Sequence, residues 1–148
     1  MIQPLYVTYI TSTPEKLWKA LTDGAFTEKY WFGRKVQSNW MEGSPVTFLD
    51  EHGRVTDKGV VLKSEPYRLL SYTFQYLKDK TVRERILKVT FEFQPMASAV
   101  MLKLKHEELL PTDFHDESEG FYGINYGWPA ILSSLKSMLE TGNALPLM

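Results

Sequence analysis

Three segments in the second half of the chain alternate between apolar and polar residues. The apolar positions are Leu70, Tyr72, Phe74 and Tyr76, then Leu87, Val89, Phe91 and Phe93, and finally Val100, Leu102 and Leu104. Lysine, threonine, serine, glutamine and glutamate occupy most of the positions between them. Alternation with period two is typical of antiparallel strands that have one dry face and one wet face. The pattern therefore predicts a sheet that another element covers on one side.

Near the start of the chain the pattern changes from strand-like to helical. Residues 2–10 are mostly β-branched or aromatic and predict a strand. The helix that follows has an N-cap candidate, a proline at its first position and three apolar residues at helical spacing: Thr13, Pro14, Leu17, Trp18 and Leu21. We expect this helix to end at Gly24 and a second short helix to end at Gly33.

Residues 120–142 predict one long final helix, although they include three glycines and a proline. Its larger apolar residues form one stripe: Phe121, Ile124, Trp128, Ile131, Leu132, Leu135, Met138 and Leu139. Small residues form a second stripe beside it: Gly120, Gly123, Gly127, Ala130, Ser134 and Ser137. The small stripe allows either a close approach to the sheet or another chain, or a cavity with aromatic walls.

The order of these elements predicts an α+β fold. Strands between residues 35 and 107, separated by turns, form a curved antiparallel sheet of about six to seven strands, and the final helix lies across it. Two short helices follow the first strand. Since no repeat or linker-like segment divides the 148 residues, we expect residues 1–148 to form a single domain.

Composition narrows the function classes. With 17 basic and 18 acidic residues, and no long run of like charge, the chain is not expected to bind nucleic acid. There is no cysteine, which excludes disulfides and thiolate chemistry. The opening residues do not resemble a signal peptide and no stretch is long enough to span a membrane, so we expect a cytoplasmic protein without membrane insertion.

The histidines are the main candidates for chemistry. Counted by twos from Val100, His106 falls on the dry face of its strand, where it could orient a ligand or transfer a proton. Alternatively, the strand has already ended and His106 lies at the surface. His52 is expected in a solvated turn, and His115 has no second histidine at metal-binding spacing.

No motif for a catalytic or cofactor-binding site is present. The chain lacks a nucleophile elbow, a phosphate-binding loop and paired inward carboxylates, so we predict no catalytic residues, no metal and no cofactor. Arg83, Glu84 and Arg85 are expected to form ordinary surface ion pairs. Asp113 is expected to cap the final helix.

Several phrases resemble a known family. They are "TSTPEKLWKALTD", "KYWFG", "W-x-x-GSPVTF" at Trp40 to Phe48, "DKGVVL", "YRLLSYTF" and "GWPAILSSLKSMLETG". Together they are similar to the family named for homologues of the activator of the heat-shock-protein-90 ATPase, in the START-like (SRPBCC) superfamily. The resemblance spans nearly the whole chain. It implies a helix-grip fold, in which the sheet wraps the last helix and leaves a deep apolar cavity.

The resemblance also implies the kind of function to expect. Members of the superfamily bind lipids, hormones and polyketides, and some are enzymes, but the family has no invariant catalytic set. The extra N-terminal domain of the eukaryotic co-chaperone has no counterpart in this sequence, which weakens the case for chaperone activation. The candidate ligand-binding residues are Trp31, Trp40, Tyr72, Phe74, Phe91, Leu102, His106, Phe121, Ile124, Tyr126 and Trp128.

Three functions remain open from the sequence. The first is binding of a small hydrophobic molecule, such as a lipid, a polyketide or an aromatic metabolite, with His106 and Tyr126 as polar anchors. The second is protein interaction, for example with a chaperone, through an exposed apolar patch. The third is a cyclase-like or dehydratase-like enzyme that uses His106 and a tyrosine. Either a monomer or a homodimer fits all three.

Overall fold

The computed structural model describes residues 3–114 and 124–147, with the side chains of the last helix described from residue 127. The helices are α1 (Pro14–Thr22), α2 (Gly24–Tyr30) and α3 (Ile124–Thr141). The strands are β1 (Leu5–Ile10), β2 (Lys35–Gln37), β3 (Pro45–Leu49), β4 (Val55–Glu65), β5 (Leu69–Thr73), β6 (Gln75–Tyr76), β7 (Lys88–Pro95) and β8 (Val100–Glu107). A short 3-10 turn covers Pro111–Asp113.

The strands form one antiparallel sheet in the order β1-β8-β7-β5-β4-β3-β2, with β6 paired to β4. β1 pairs with β8 from Leu5 opposite Lys105 to Ile10 opposite Val100. The first and last strands of the chain are therefore neighbours. Together with α3, this architecture is the predicted α+β helix-grip arrangement, with eight strands where six to seven were expected.

The alternating pattern correctly identifies the dry face of the central strands. All the apolar positions predicted on the last two strands are buried, from Leu87, which directly precedes β7, to Phe93 and from Val100 to Leu104. The prediction for Tyr76 is wrong, since this residue is 41% exposed. The reason is a break after β5: the N–H of Phe74 donates to Leu87 O at 2.9 Å, and the next two residues pair with β4 instead of β7.

The break coincides with a close backbone approach at Gly59 of β4. A Cβ atom at this position would lie 1.7 Å from the carbonyl oxygen of Thr73. The hydroxyl of Thr73 also accepts a hydrogen bond from Val60 N at 2.8 Å. No residue larger than glycine therefore fits at position 59. The sheet divides into its β5 and β6 branches beside this position.

The two short helices begin as expected but are joined differently. Thr13 caps α1, because its hydroxyl accepts a hydrogen bond from Lys16 N at 3.2 Å. Gly24 was predicted to end α1, but it is the first residue of α2. Asp23 separates the helices and serves both, since its N–H donates to Lys19 O and its carboxylate accepts from Ala25 N at 2.9 Å. Asp23 therefore takes the role at the end of α1 that was expected of Gly24.

The C-terminal half of α3 is fastened to β1. Lys136 Nζ donates to the carbonyl oxygen of Tyr9 at 2.6 Å, and the carboxylate of Glu140 accepts a hydrogen bond from Thr11 N at 2.8 Å. These contacts fix the helix across the edge of the sheet. In the described ranges, no helix is long and apolar enough to cross a membrane.

Candidate functional site

A cluster of aromatic rings fills the space between the sheet and the start of the described part of α3. Trp128 lies at its centre, with ring centroids 5.4 Å from Trp31, 6.4 Å from Phe91 and 6.5 Å from Phe74. Trp31 in turn lies 4.8 Å from Phe48. The structure therefore brings four of the predicted wall residues together, but they contact one another in the described region and do not stand apart around a hollow.

The other predicted wall residues lie at the margin of this cluster. Tyr72 is buried on β5, with its ring 6.1 Å from Phe91 and 5.9 Å from Trp40. Trp40 is half-buried, and its indole N–H donates to Thr22 O at 2.9 Å. Leu102 is fully buried on β8, opposite Phe93. These three residues extend the apolar interior away from Trp128.

His106 is buried inside the fold, so the alternative that placed it at the surface is wrong. β8 continues to Glu107, which carries His106 onto the dry face with only 1% of its surface exposed. Its Nδ1 accepts a hydrogen bond from the indole Nε1–H of Trp128 at 2.8 Å. Its Nε2 is buried and has no hydrogen-bond partner among the described residues.

Burial controls the protonation of His106. Removal of the imidazole from water lowers its pKa from 6.5 to about 4; Arg83 adds to this effect, and Asp113 partly opposes it. The side chain is therefore neutral near pH 7. Because Nδ1 is occupied by Trp128, the imidazole is arranged to donate a hydrogen bond from Nε2 and is poorly placed to accept a proton.

A charged cluster missed by the sequence reasoning lies near His106. Arg83 donates from Nη1 and Nη2 to the two oxygens of Asp113, at 2.9 and 2.6 Å, and from Nε to Asp79 at 2.8 Å. Burial alone would raise the pKa of Asp113, but hydrogen bonds from Arg83 and Leu110 N–H hold it below its usual value. We call this pairing of Arg83 with Asp113 the clasp.

The clasp corrects two expectations. Arg83 is only 15% exposed and does not form an ordinary surface pair, and Asp113 joins two loops instead of capping the final helix. The two residues are 30 positions apart in sequence, so spacing alone gave no signal of their contact.

A surface pocket of 320 Å³ opens next to the clasp. It is lined by Phe74, Gln75, Asp79, Thr81, Arg83, Glu84, Arg85, Ile86 and Leu87. Phe74 is half-buried, and its ring also meets the His106 ring edge-on at 6.4 Å. Phe74 therefore contacts both this outer pocket and the buried imidazole.

Two residues of the small-residue stripe, Ser134 and Ser137, contact the segment that follows α3. Ser134 is buried, and its hydroxyl accepts a hydrogen bond from Leu145 N at 3.1 Å. The hydroxyl of Ser137 donates to Asn143 O at 2.8 Å. The segment after α3 therefore turns back over this stripe and borders a second pocket of 210 Å³ against α2.

Some predicted residues fall where side chains are not described. Phe121 and His115 lie outside the described residues, as do Gly120 and Gly123 of the small stripe. Ile124 and Tyr126 belong to the first turn of α3, before the described side chains begin. In the parts of the chain that are described, no group of three or more histidine, aspartate or glutamate side chains could hold a metal ion.

Comparisons with known proteins agree with this fold. The model of the family described as "Activator of Hsp90 ATPase homolog 1-like protein" matches residues 11–140. A search of curated proteins found no match. The similar solved structures include protein MLL2253 from Mesorhizobium loti, with a TM-score of 0.74 and 25% identity over 93% of this chain and 96% of that one.

Two other similar structures carry descriptive names. One is the Aha1 dimer from Colwellia psychrerythraea, with a TM-score of 0.72 and 20% identity over 96% of this chain and 98% of that one. The other is an HSP90 activator from Plasmodium falciparum, with a TM-score of 0.63 and 16% identity over 97% and 91%. At these identities the two structures support the fold. The family match, which covers most of the chain, shows that this protein belongs to the Activator of Hsp90 ATPase homolog 1-like family of the START-like fold.

Proposed function

We propose that the protein binds a small, mostly apolar molecule at the His106 end of the ring cluster, between the sheet and α3. The observation that carries this proposal is the buried Nε2 of His106, which has no hydrogen-bond partner among the described residues. An unpaired buried donor costs about 1–3 kcal/mol. A bound molecule with a suitable polar atom would remove that cost.

The surroundings of His106 support an apolar ligand. The imidazole is flanked by the rings of Trp128 and Phe74, with centroids at 5.7 and 6.4 Å, and Val89 is its neighbour on β7. Sites for small molecules are typically apolar with few polar groups that fix orientation. A lipid, a polyketide or an aromatic metabolite fits this description, and neither a cofactor nor a metal is proposed.

The outer pocket supports a route to this site. Phe74 contacts both the pocket and His106, so rotation of this one ring would join the pocket to the imidazole. Phe74 is half-buried and lies between β5 and β6, at the break in the sheet. We therefore propose Phe74 as the residue that a ligand displaces.

A thermal-shift screen combined with NMR tests the proposal. Fatty acids, flavonoid-type polyketides and tricyclic aromatic compounds would be added in turn, and a ligand at 100 times its Kd should add about 2.7 kcal/mol of stability. The backbone amides that shift on binding should include Val89 and His106, together with the Trp128 indole. Binding that shifts only amides on the outer surface, or a panel without any binder, contradicts the proposal.

Matched histidine variants provide the control. His106→Phe keeps a ring but removes the buried donor, and we expect it to weaken the binding of polar-headed members of the panel. His52→Phe changes an exposed histidine in the turn between β3 and β4, and it should leave binding unchanged. Equal weakening by both variants would indicate a general effect on stability instead of a site at His106.

A second candidate function is association with a chaperone. The relative from P. falciparum is described as an HSP90 activator. On the wet face of β1, Leu5, Val7 and Tyr9 are 58, 45 and 53% exposed and form an apolar row. We propose a pull-down from cell extract with the wild-type chain and with Val7→Lys/Tyr9→Lys. Recovery of Hsp90 by the wild type alone would support this candidate, and equal recovery by both would contradict it.

Domain organisation, location and assembly are also proposals. We propose that residues 1–148 form a single domain, which the continuous sheet from β1 to β8 supports. A cytoplasmic location is likewise a proposal, which cell fractionation tests. Because one relative was solved as a dimer, a homodimer is proposed as the alternative to a monomer, and light scattering would distinguish them.

A further inference from the structure

We infer that Trp128 fixes the tautomer of His106, so that the site selects apolar ligands whose polar group is a hydrogen-bond acceptor, such as the carbonyl of an aromatic ketone or quinone. This inference rests on the proposed function. It concerns which ligands the site accepts, and the proposed function concerns whether the site binds a ligand at all.

The hydrogen bond between the two side chains has one possible direction. An indole Nε1 carries a hydrogen and can only donate. His106 Nδ1, 2.8 Å away, must therefore present its lone pair, which leaves the ring proton of the neutral imidazole on Nε2. The tautomer of His106 therefore follows from the fact that the indole N–H of Trp128 can only donate.

The described neighbours of the imidazole provide no hydrogen-bond partner for its Nε2 edge. The Phe74 and Trp128 rings lie beside it, and its backbone N–H already donates to Pro4 O at 3.2 Å. The nearby charges, Arg83 and Asp113, are committed to each other in the clasp. The Nε2–H is therefore a fixed, buried donor that no described protein group uses.

The Nε2–H donor determines which polar group of a ligand is satisfied at this position. A carbonyl oxygen placed at Nε2 accepts the proton and is satisfied. A ligand with only an N–H group at this position would bring two donors together and leave both unpaired in an apolar site. Sites built to hydrogen-bond one group discriminate strongly against an analogue that cannot make the bond, because buried polar groups are then unpaired.

The tautomer can be measured without any ligand. In a long-range ¹H–¹⁵N spectrum, His106 should show a protonated Nε2 and an unprotonated Nδ1. Trp128→Phe removes the indole donor, and the ¹⁵N shifts should then move toward the average of the two tautomers. Trp31→Phe is the matched control, since it changes a buried tryptophan of the same cluster that has no hydrogen bond to His106. An Nδ1–H tautomer in the wild type overturns the inference.

Ligand selectivity is tested with three tricyclic compounds of similar shape. Fluorenone carries a carbonyl acceptor, carbazole an N–H donor, and fluorene neither. We expect the wild type to bind fluorenone about tenfold or more tightly than either analogue. In Trp128→Phe the ratio between fluorenone and carbazole should fall to about threefold or less. In His106→Phe, fluorenone and fluorene should bind equally, which keeps the test available if Trp128→Phe does not fold.

The outcomes separate the inference from the proposed function. Equal binding of all three compounds by the wild type supports the proposed function but overturns the acceptor selectivity. A preference for carbazole overturns it as well. Binding of none of the three, with no binder in the wider panel, contradicts both the proposed function and the selectivity.

Discussion

Arg34 Nη1 lies 3.3 Å from Oδ2 of Asp57, a β4 carboxylate that is 1% exposed. The Thr56 hydroxyl donates a second contact to the same oxygen at 2.7 Å. Burial raises the pKa of Asp57, and Arg34 and Thr56 only partly oppose this effect. The pair therefore places a charge inside the sheet that would be costly to bury without a partner.

Arg34→Met should destabilise the fold by about 2 kcal/mol. This is less than the 3–5 kcal/mol seen for fully buried pairs, because Arg34 is itself partly exposed. The double variant Arg34→Met/Asp57→Asn removes the unpaired charge and should regain most of the loss. Urea unfolding at pH 7 measures all three proteins. An equal loss in the single and double variants would show that Asp57 is not the cause.

The same pair predicts a pH dependence. Since the folded-state pKa of Asp57 is above that of the unfolded chain, the folded state binds a proton more readily, and this group adds stability as pH falls through its folded pKa. Arg34→Met removes a cation that lowers the pKa of Asp57. The variant should therefore widen the pH range over which this group adds stability. The stability difference between the variant and the wild type should therefore shrink between pH 7 and pH 4. A constant difference would contradict the assignment.

His106 should make the protein less stable in acid. Its folded-state pKa is lowered from 6.5 to about 4, so the unfolded chain binds more protons between these values and stability is lost as pH falls through that window. The full difference corresponds to about 3 kcal/mol. His106→Phe should flatten the profile of unfolding free energy from pH 6.5 to 4. Parallel profiles for the wild type and His106→Phe would contradict this.

The clasp should stabilise the fold more than an exposed ion pair does. Asp113→Asn weakens two charge-assisted hydrogen bonds in a partly buried place, and we expect a loss of about 1–2 kcal/mol. Glu28→Gln breaks the exposed contact with Lys35, which spans 3.4 Å, and should cost less than about 0.5 kcal/mol. Thermal unfolding at pH 7 compares them. Similar losses for the two variants would mean that the clasp contributes no more than a surface pair.

Gly59→Ala should be among the most damaging small substitutions in the sheet. Its Cβ would lie 1.7 Å from the backbone oxygen of Thr73, and a backbone atom cannot move aside without breaking the β4–β5 pairing. We expect a loss of about 3 kcal/mol or more. Gly53→Ala, where φ is +76° but space is open, should cost only about 1 kcal/mol. Equal losses would assign both effects to backbone conformation.

The sequence predicted the fold where a single element carries the whole signal. Leu87 to Phe93 could be assigned to the dry face because strand alternation is local, and Thr13 could be assigned as a cap because its partner lies three residues away. Tyr76 was misassigned because the pairing of β6 depends on a distant close contact between Gly59 and Thr73. Gly24 was misassigned because a capping aspartate already separates the helices.

The candidate site was predicted in its residue types but not in its connections. His106 and Trp128 were both named, yet their hydrogen bond joins a strand to a helix 22 residues away, and no periodicity encodes it. The clasp and the segment that covers Ser134 were missed for the same reason, since each depends on loops whose course the sequence does not dictate.

The pairing of β1 with β8 also governs how the chain can fold. Residues 5–10 meet residues 100–105, so the first strand has its sheet partner only after most of the chain is available. Closing so long a loop costs conformational entropy before the stabilising contacts between β1 and β8 can form. Sheets dominated by such pairings fold in milliseconds to seconds. During synthesis on the ribosome, β1 therefore has no sheet partner until β8 has emerged.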